Sequence, residues 1–199
     1  MKILRQSIIV SAVFFILCGV IYPYFMTGVA NIFFKEKAQG SIIYIDGKPV
    51  GSKLIGQKFE KPEYLHGRPS AYNYNIYDEK PADDVLPASG GTNYGNSNPA
   101  YEKDVRNNLA QVLSENPAAA AEDIPSELVT SSGSGLDPHI SLQGALLQVD
   151  RIAKARGIEK EAVAKVIKEN SEKDIVNVLE TNIKSVSYTH LTLPTNSLV

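Results

Sequence analysis

Three residues close together in the chain are of the types that hydrolyse esters and amides. Ser134, Asp137 and His139 match the nucleophile, the orienting acid and the base of a catalytic triad. Triads assemble from distant segments, however, and the Gly-Ser-Gly here lacks the outer glycine spacing of a nucleophile elbow. The pattern therefore indicates coincidence, and we predict no catalytic residue in this chain.

The same segment has features that suit anion binding. Residues 131–135 are serines and glycines whose backbone N–H groups can form a nest, and Asp137-Pro138 has the form of a helix cap followed by a first-turn proline. A nest at a helix N-terminus binds phosphate. A P-loop needs Lys-Ser/Thr after its glycines, and the Asp137 carboxylate would take the place of an anion. A tight turn entering a helix at Asp137, with His139 in its first turn, is the favoured interpretation.

Metal and nucleic-acid sites are not indicated. His66 and His190 have no second ligand at helical or finger spacing, and Cys18, the one cysteine, lies in an apolar run. The formal net charge is −2, without any Lys/Arg cluster. We predict no metal and no nucleic-acid partner.

Two polar loops favour binding of another protein. Residues 66–71 and 90–98 are rich in hydrogen-bonding side chains and poor in catalytic types, and the tyrosines around them argue against disorder. The predicted partner-binding residues are Arg68, Ser70, Asn93, Asn96 and Asn98.

An apolar run predicts how the chain is anchored. Residues 6–34 contain no charged side chain, and residues 7–27 have the length of a transmembrane helix, which Pro23 is expected to kink. A cleaved signal peptide is the alternative, but its apolar region would be shorter. A slight bias of positive charge and the short N-terminal tail favour a cytoplasmic N-terminus and an extracytoplasmic domain.

The rest of the chain predicts an α+β domain with a small sheet and at least three helices. Asp46-Gly47 predicts a hairpin and Asn98-Pro99 a helix start. The other predicted elements are a short strand at 127–130, a helix from 137 to the stop at Gly157, a helix at 159–170 and a closing strand at 175–183.

These elements divide the chain into four parts. Residues 1–6 form a short tail, 7–27 the transmembrane helix and 38–184 one soluble domain. Residues 185–199 form an atypical tail without usable periodicity, for which a sequencing or assembly artefact is one interpretation.

Several long motifs occur in an order that resembles a known family. They are GRPSA at 67–71, SGGTNYGNSNP at 89–99, SSGSGLDPHIS at 131–141, QVDRIAKAR at 148–156 and VNVLETN at 176–182. Together they resemble the C subunit of the Kdp-type potassium-transporting ATPase. Thr181 and Lys184 depart from that family, which tends to be apolar at these positions.

The resemblance implies an accessory subunit of an ATP-driven, high-affinity potassium import complex in the cell (inner) membrane. Its implied partners are a channel-like subunit that takes up potassium and a P-type ATPase subunit; the chain itself would be no self-contained enzyme. The family is described as a catalytic chaperone that raises the ATP affinity of the ATPase subunit. Gln148 is the position that the resemblance implicates in nucleotide binding, and Ser132, Ser134 and Gly135 of the possible nest are the other nucleotide-binding candidates.

The expected topology conflicts with direct nucleotide binding, because an extracytoplasmic domain lies away from cytoplasmic ATP. We therefore expect a cap or assembly factor over the potassium entrance. Two alternatives remain open: an anchored extracytoplasmic hydrolase with Ser134 as nucleophile, and an envelope-binding module.

Overall fold

The computed structural model describes residues 2–76, 86–173 and 184–187. The chain separates into two compact units, Met1–Ser52 and Lys53–Val199. The helices are α1 (Lys2–Ile16), α2 (Tyr22–Phe33), α3 (Lys35–Ala38), α4 (Pro99–Glu115), α5 (Leu142–Leu147), α6 (Val149–Arg156) and α7 (Lys160–Glu169). The strands are β1 (Ile42–Ile45), β2 (Lys48–Ser52), β3 (His139–Ser141), β4 (Ser171–Lys173) and β5 (Lys184–Ser187). The predicted α+β class with one N-terminal apolar helix is confirmed.

The first unit begins with a helix that is long and apolar enough to span a membrane, from Lys2 to Phe33. Between α1 and α2 the helix widens into a π turn at Leu17–Ile21, where the N–H of Tyr22 donates to the carbonyl of Leu17. This wider turn ends at Ile21, two residues before Pro23, which has no N–H to donate to the preceding turn. Proline thus changes the helical hydrogen bonding without ending the helix.

A β-hairpin completes the first unit. Strands β1 and β2 pair antiparallel across Asp46 and Gly47, whose φ angles are +50° and +73°. Positive φ at both central residues is the geometry of the two-residue turn that Asp-Gly favours, so the predicted hairpin is confirmed. The Ser52 hydroxyl donates to the Gly40 carbonyl at 2.7 Å and ties the second strand to the chain that enters the first.

The core of the second unit lies where α5, α6 and α7 pack together. Its buried side chains are Leu65, Leu128, Ile140, Ala145, Val149, Ile152, Ala153, Val163 and Ile167. On α6 and α7 these residues recur at helical spacing, so each helix buries one stripe and leaves its charged residues in solvent. Because each helix buries only one side, its orientation in the domain is fixed, and so are the positions of the loops that connect the helices.

Local capping signals predicted two helix boundaries correctly. The Asn98 side chain accepts the N–H of Ala100 at 2.9 Å and starts α4 with Pro99 in the first turn. Gly157 ends α6 in the left-handed conformation, with φ of +66°.

Two sequence predictions about local structure were wrong. Asp137 does not begin a helix; its Oδ1 accepts the N–H of His139, which lies in β3, and α5 begins only after Ser141, whose hydroxyl accepts the N–H of Gly144. The predicted strand at 127–130 is instead part of a 3-10 turn, Ser126–Leu128, followed by a hydrogen bond from the Thr130 hydroxyl to the Ser126 carbonyl. In both places a side chain forms a hydrogen bond with a nearby backbone group, and this bond replaces the backbone bonding of the expected helix or strand.

The second sheet joins segments from two parts of the unit. Its order is β3-β5-β4, with both pairs antiparallel. The boundary that we expected at residue 185 falls within β5. The predicted strand at 175–183 lies outside the described residues.

Candidate partner-binding loop site

Three loops of the second unit interlock to form what we call the loop site, residues 66–76, 86–98 and 131–137. These loops contain three of the motifs that stood out in the sequence. Backbone hydrogen bonds join them: the N–H of Ser132 donates to the Pro69 carbonyl at 3.2 Å, and the N–H of Gly90 donates to the Ser134 carbonyl at 2.7 Å. Segments that are far apart in sequence therefore hold one another in place.

The segment from His66 to Ser70 contacts the junction of α5 and α6 and the loop 131–137 through alternate residues. The backbone of His66 binds the side chain of Gln148, Arg68 donates to Asp137 Oδ2 at 2.9 Å, and the Ser70 hydroxyl donates to the Gly135 carbonyl at 2.6 Å. A hydroxyl both donates and accepts, and Ser70 Oγ also accepts the N–H groups of Tyr72 and Tyr74, each at 3.1 Å. Ser70 is consequently the central hydrogen-bonding residue of the loop site.

Gly135 lies at the closest approach between two loops. Its φ is +68°, and a Cβ at this position would lie 2.6 Å from the Gly90 carbonyl oxygen. Both the backbone conformation and the available space therefore require glycine. The Ser89 hydroxyl donates to the Ser134 carbonyl at 2.9 Å and adds a second link between these loops.

Electrostatic interactions at this turn centre on Asp137. Burial raises the pKa of Asp137, but hydrogen bonds from His139 and Arg68 and the charge of Arg68 outweigh it, so the pKa lies below its ordinary value. The carboxylate is therefore ionised and committed to neighbours within the chain. Its negative charge beside residues 131–135 opposes the binding of a phosphate group there.

The nucleotide-binding candidates at the turn already have partners within the protein. The N–H groups of Ser132, Gly135 and Leu136 donate respectively to the Pro69 carbonyl, the Ser132 carbonyl and the Ser134 hydroxyl. Ser132 is only 1% exposed, and within the described part of the chain its hydroxyl has no hydrogen-bond partner. A phosphate nest needs adjacent N–H groups that point outward unpaired, and three of the N–H groups at this turn are instead committed within the domain.

Gln148 lies at the junction of α5 and α6 and is 2% exposed. Its Oε1 accepts from the His66 N–H and from Arg151, and its Nε2 donates to the carbonyls of His66 and Gly144 at 3.0 and 3.1 Å. An amide side chain has two donor hydrogens and an acceptor oxygen with two lone pairs. The hydrogen-bonding capacity of Gln148 is thus fully used within the domain.

A charged network surrounds Gln148. Arg151 donates to the Pro62 and Tyr64 carbonyls at 2.7 and 3.0 Å, while His66 Nδ1 lies 2.9 Å from Glu115 Oε2. Burial raises the pKa of Glu115, but hydrogen bonds from His66 and Gln111 and the charges of His66 and Arg151 bring it below its ordinary value. The pKa of Arg151 lies below its ordinary value, because burial lowers it more than the negative charge of Glu115 raises it. This network attaches the chain before the loop site to α4 and α6.

The predicted partner-binding residues have different positions in the structure. Asn93 and Asn96 are exposed, Asn93 with a φ of +54°, whereas Asn98 caps α4 and Arg68 and Ser70 make the internal contacts described above. Asn93 and Asn96 are therefore available to a partner, and the other three position the loops.

Sequence reasoning missed the apolar side chains that the loops expose. Among the described residues of the second unit, all the exposed large hydrophobic side chains lie outside the helices: Leu54, Ile55, Tyr72, Ile76, Leu86 and Tyr94. Leu54 and Ile55 are tied to the loop site because the N–H of Gly56 donates to the Leu136 carbonyl at 2.8 Å. Residues 86–101 contain no charged side chain, which is the signal that could have identified this surface.

The geometry gives little support to a hydrolase active site or to a metal site. Ser134 Oγ accepts the N–H of Leu136 at 3.1 Å and so shapes the turn. Asp137 lies 3.3 Å from His139 Nδ1, as the acid and histidine of a triad would, but it also pairs with Arg68 at 2.9 Å. No group of three or more metal-ligating side chains occurs within residues 2–76, 86–173 and 184–187.

Comparison with known proteins gives a consistent result. The family model described as K+-transporting ATPase, c chain, matches residues 4–191. The potassium-transporting ATPase KdpC subunit of Caldanaerobacter subterraneus subsp. tengcongensis is 45% identical over 188 residues, covering 90% of this chain and 92% of that protein. The KdpC subunit of Clostridioides difficile is 40% identical over 203 residues, covering 92% and 96%. KdpC subunit 2 of Staphylococcus aureus is 43% identical over 188 residues, covering 92% and 97%.

Proposed function

The chain belongs to the family of the K+-transporting ATPase c chain, and on that basis we propose that it is the accessory subunit that binds and assists the ATP-hydrolysing and potassium-conducting subunits of its complex. Membership makes it a membrane-associated subunit of a potassium-transporting ATPase. Its assisting role, its direct partners and its orientation are our proposals.

The exposed face of the loop site is the observation that carries this proposal. Interface centres are depleted in charge and enriched in aromatic side chains, and binding loops commonly combine tyrosine with serine, glycine and asparagine. Tyr72 and Tyr94, each 40% exposed, stand among uncharged residues of these types. The solvent faces of α4, α6 and α7 carry many charges instead. We therefore propose that the loop site binds another subunit.

The rigidity of the loops supports the same role. A loop that is ordered before binding loses less conformational entropy when it binds. Ser70, Gly90 and Gly135 order the loops through contacts that a partner does not need to supply. The loops of the site are therefore already ordered when a partner binds.

We propose that the chain raises the ATP affinity of the ATPase subunit through protein contact, without holding the nucleotide itself. Gln148 and the N–H groups of Ser132, Gly135 and Leu136 are already occupied, and Asp137 is an anion. An accessory subunit alters the ATP affinity of another chain if it binds the two conformations of that chain unequally. Such coupling acts across a membrane, because the accessory subunit and ATP do not need to bind at the same site.

The proposed orientation places the domain outside the cytoplasm. Lys2 and Arg5 precede the apolar helix, Lys35 and Lys37 follow it, and a short tail before a long domain favours a cytoplasmic N-terminus. In this orientation the loop site reaches the potassium-conducting subunit on the side where potassium enters.

Reconstitution of the complex with and without this chain tests the proposed function. We expect potassium-stimulated ATP hydrolysis to be impaired without the chain and restored when purified chain is added, with a lower apparent KM for ATP. Equal activity and equal KM in both preparations would contradict the assisting role. Ester hydrolysis by the isolated chain, abolished in Ser134→Ala, would favour the hydrolase alternative.

A further inference from the structure

A second surface of the domain, distinct from the loop site, forms an open groove of about 750 Å³. One side is the loop that follows α4, including Ala118, Ala119 and Asp123, and the other is α5, through the half-buried side chains of Leu142, Leu146 and Leu147. Apolar side chains form most of its lining. A groove of this size accommodates several side chains of a bound segment.

The walls of the groove are held together by the protein itself. Gln143 Nε2 donates to the Asp123 carbonyl at 2.9 Å, which ties the loop to α5. Leu142 and Leu146 also pack against the buried core, so their positions are fixed from beneath. Contacts within the domain therefore hold both walls of the groove in place.

The charge of the groove indicates which occupant it fits. Asp123 and Asp150 line it, and among the described lining residues none is basic. Asp150 is paired with Lys160 at 2.6 Å, so Asp123, exposed beside Glu122, supplies the accessible negative charge. Anionic lipid headgroups and nucleic acids would be repelled, whereas a lysine or arginine would be attracted.

We propose that this groove binds a segment of another subunit of the potassium-transporting complex, one that places large apolar side chains against α5 and a lysine or arginine beside Asp123. The inference rests on membership of the complex, and it adds a second contact that is chemically different from the loop site. The loop site offers an uncharged aromatic surface, and the groove offers an apolar one with an acidic edge.

Site-specific photo-crosslinking in the assembled complex tests this proposal. A photoreactive phenylalanine analogue replaces Ala118 in the groove or, as a control, Lys165 on the exposed face of α7. After illumination, the crosslinked peptides are identified by mass spectrometry. We expect Ala118, and not Lys165, to crosslink to a segment of another subunit that contains apolar residues and a lysine or arginine. Crosslinks only to lipid or to a second copy, a segment without a basic residue, or no crosslink above the control would overturn the proposal.

Charge variants of Asp123 provide the second arm. Asp123→Lys should lower the crosslink yield from Ala118 about fivefold or more, because it replaces attraction of the basic residue with repulsion. Asp123→Asn should lower the yield less, because it only removes the attraction. Equal yields in all three proteins would contradict the electrostatic part of the proposal. Recovery of the chain with a tagged ATPase subunit is measured in the same samples. It reports complex membership separately, so failure of the groove proposal is distinguishable from failure of the proposed function.

Discussion

The side chain of Gln148 and the backbone of His66 hold each other through two hydrogen bonds, although 82 positions separate them in the chain. The N–H of His66 donates to Gln148 Oε1 at 2.8 Å, and Gln148 Nε2 donates to the His66 carbonyl at 3.0 Å. The pair fastens the start of the loop site to the junction of α5 and α6. Gln148 therefore acts on the loop site by positioning it.

Gln148→Ala should reduce stability and leave ATP recognition unchanged. The substitution removes the acceptor of the His66 N–H and of Arg151 Nη2, and we expect the free energy of unfolding to fall by about 2–4 kcal/mol. Denaturant unfolding of the chain measures this loss. In complexes that still assemble, the apparent KM for ATP should stay within about twofold of its normal value. A raised KM with normal stability and normal complex yield would instead assign Gln148 to nucleotide binding.

Gly135→Ala should disrupt the loop site. A Cβ at this position meets the Gly90 carbonyl oxygen at 2.6 Å in a backbone conformation that L residues avoid, so we expect a loss of about 2–4 kcal/mol. Gly133→Ala is the matched control, because its Cβ would meet no atom within 4 Å. Equal unfolding midpoints for the two variants would show that the interlocking of the loops contributes nothing to stability.

The domain should lose stability on acidification. The pKa values of Glu115 and Asp137 lie below their ordinary values of 4.5 and 3.8, so both groups bind protons more weakly when folded than when unfolded. Their contribution is fully present above those ordinary values and is lost as the pH falls through the lower, folded values. Unfolding free energies measured from neutral pH down into this range should show the decline. In Glu115→Gln the decline should be shallower, and an unchanged slope would contradict the role of this network.

The sequence predicts those structural features of this protein that are determined by residues close together in the chain. The cap at Asn98 and the Asp46-Gly47 turn involve neighbouring residues, and both predictions were confirmed. Asp137-Pro138 has the same cap-plus-proline form, but Asp137 pairs with Arg68, 69 positions away, and the helix begins later. Local pattern cannot reveal such a distant partner.

The candidate site shows the same limit. The motifs drew attention to these loops because they are unusually rich in glycine and polar residues. Which residues face inward was decided by contacts between the loops: Ser70 and Arg68 bind within the domain, while Tyr72 and Tyr94 remain exposed. Burial of a loop residue has no periodicity, so sequence reasoning could not separate the loop side chains that face inward from those that remain exposed.

Protease accessibility should establish the orientation of the anchor. In spheroplasts, whose outer membrane has been opened, an added protease should digest the domain if it lies outside the cytoplasm, as the distribution of Lys2, Arg5, Lys35 and Lys37 favours. A cytoplasmic protein assayed in the same sample should remain intact. Protection of the domain until the inner membrane is lysed would reverse the proposed orientation and place the domain beside cytoplasmic ATP.

The most direct test of the central proposal is the affinity of the purified full chain for a complex assembled without it. In the double variant Leu86→Ser, Tyr94→Ser, two exposed side chains of the loop site with no internal hydrogen bond in the described structure are replaced. Tyr44→Ser, at an exposed tyrosine of the hairpin, is the control. If the loop site binds another subunit, the double variant should bind about tenfold more weakly or worse, while the control binds normally and both remain folded. Affinity unchanged in the double variant would contradict the assignment of the loop site as the partner-binding surface.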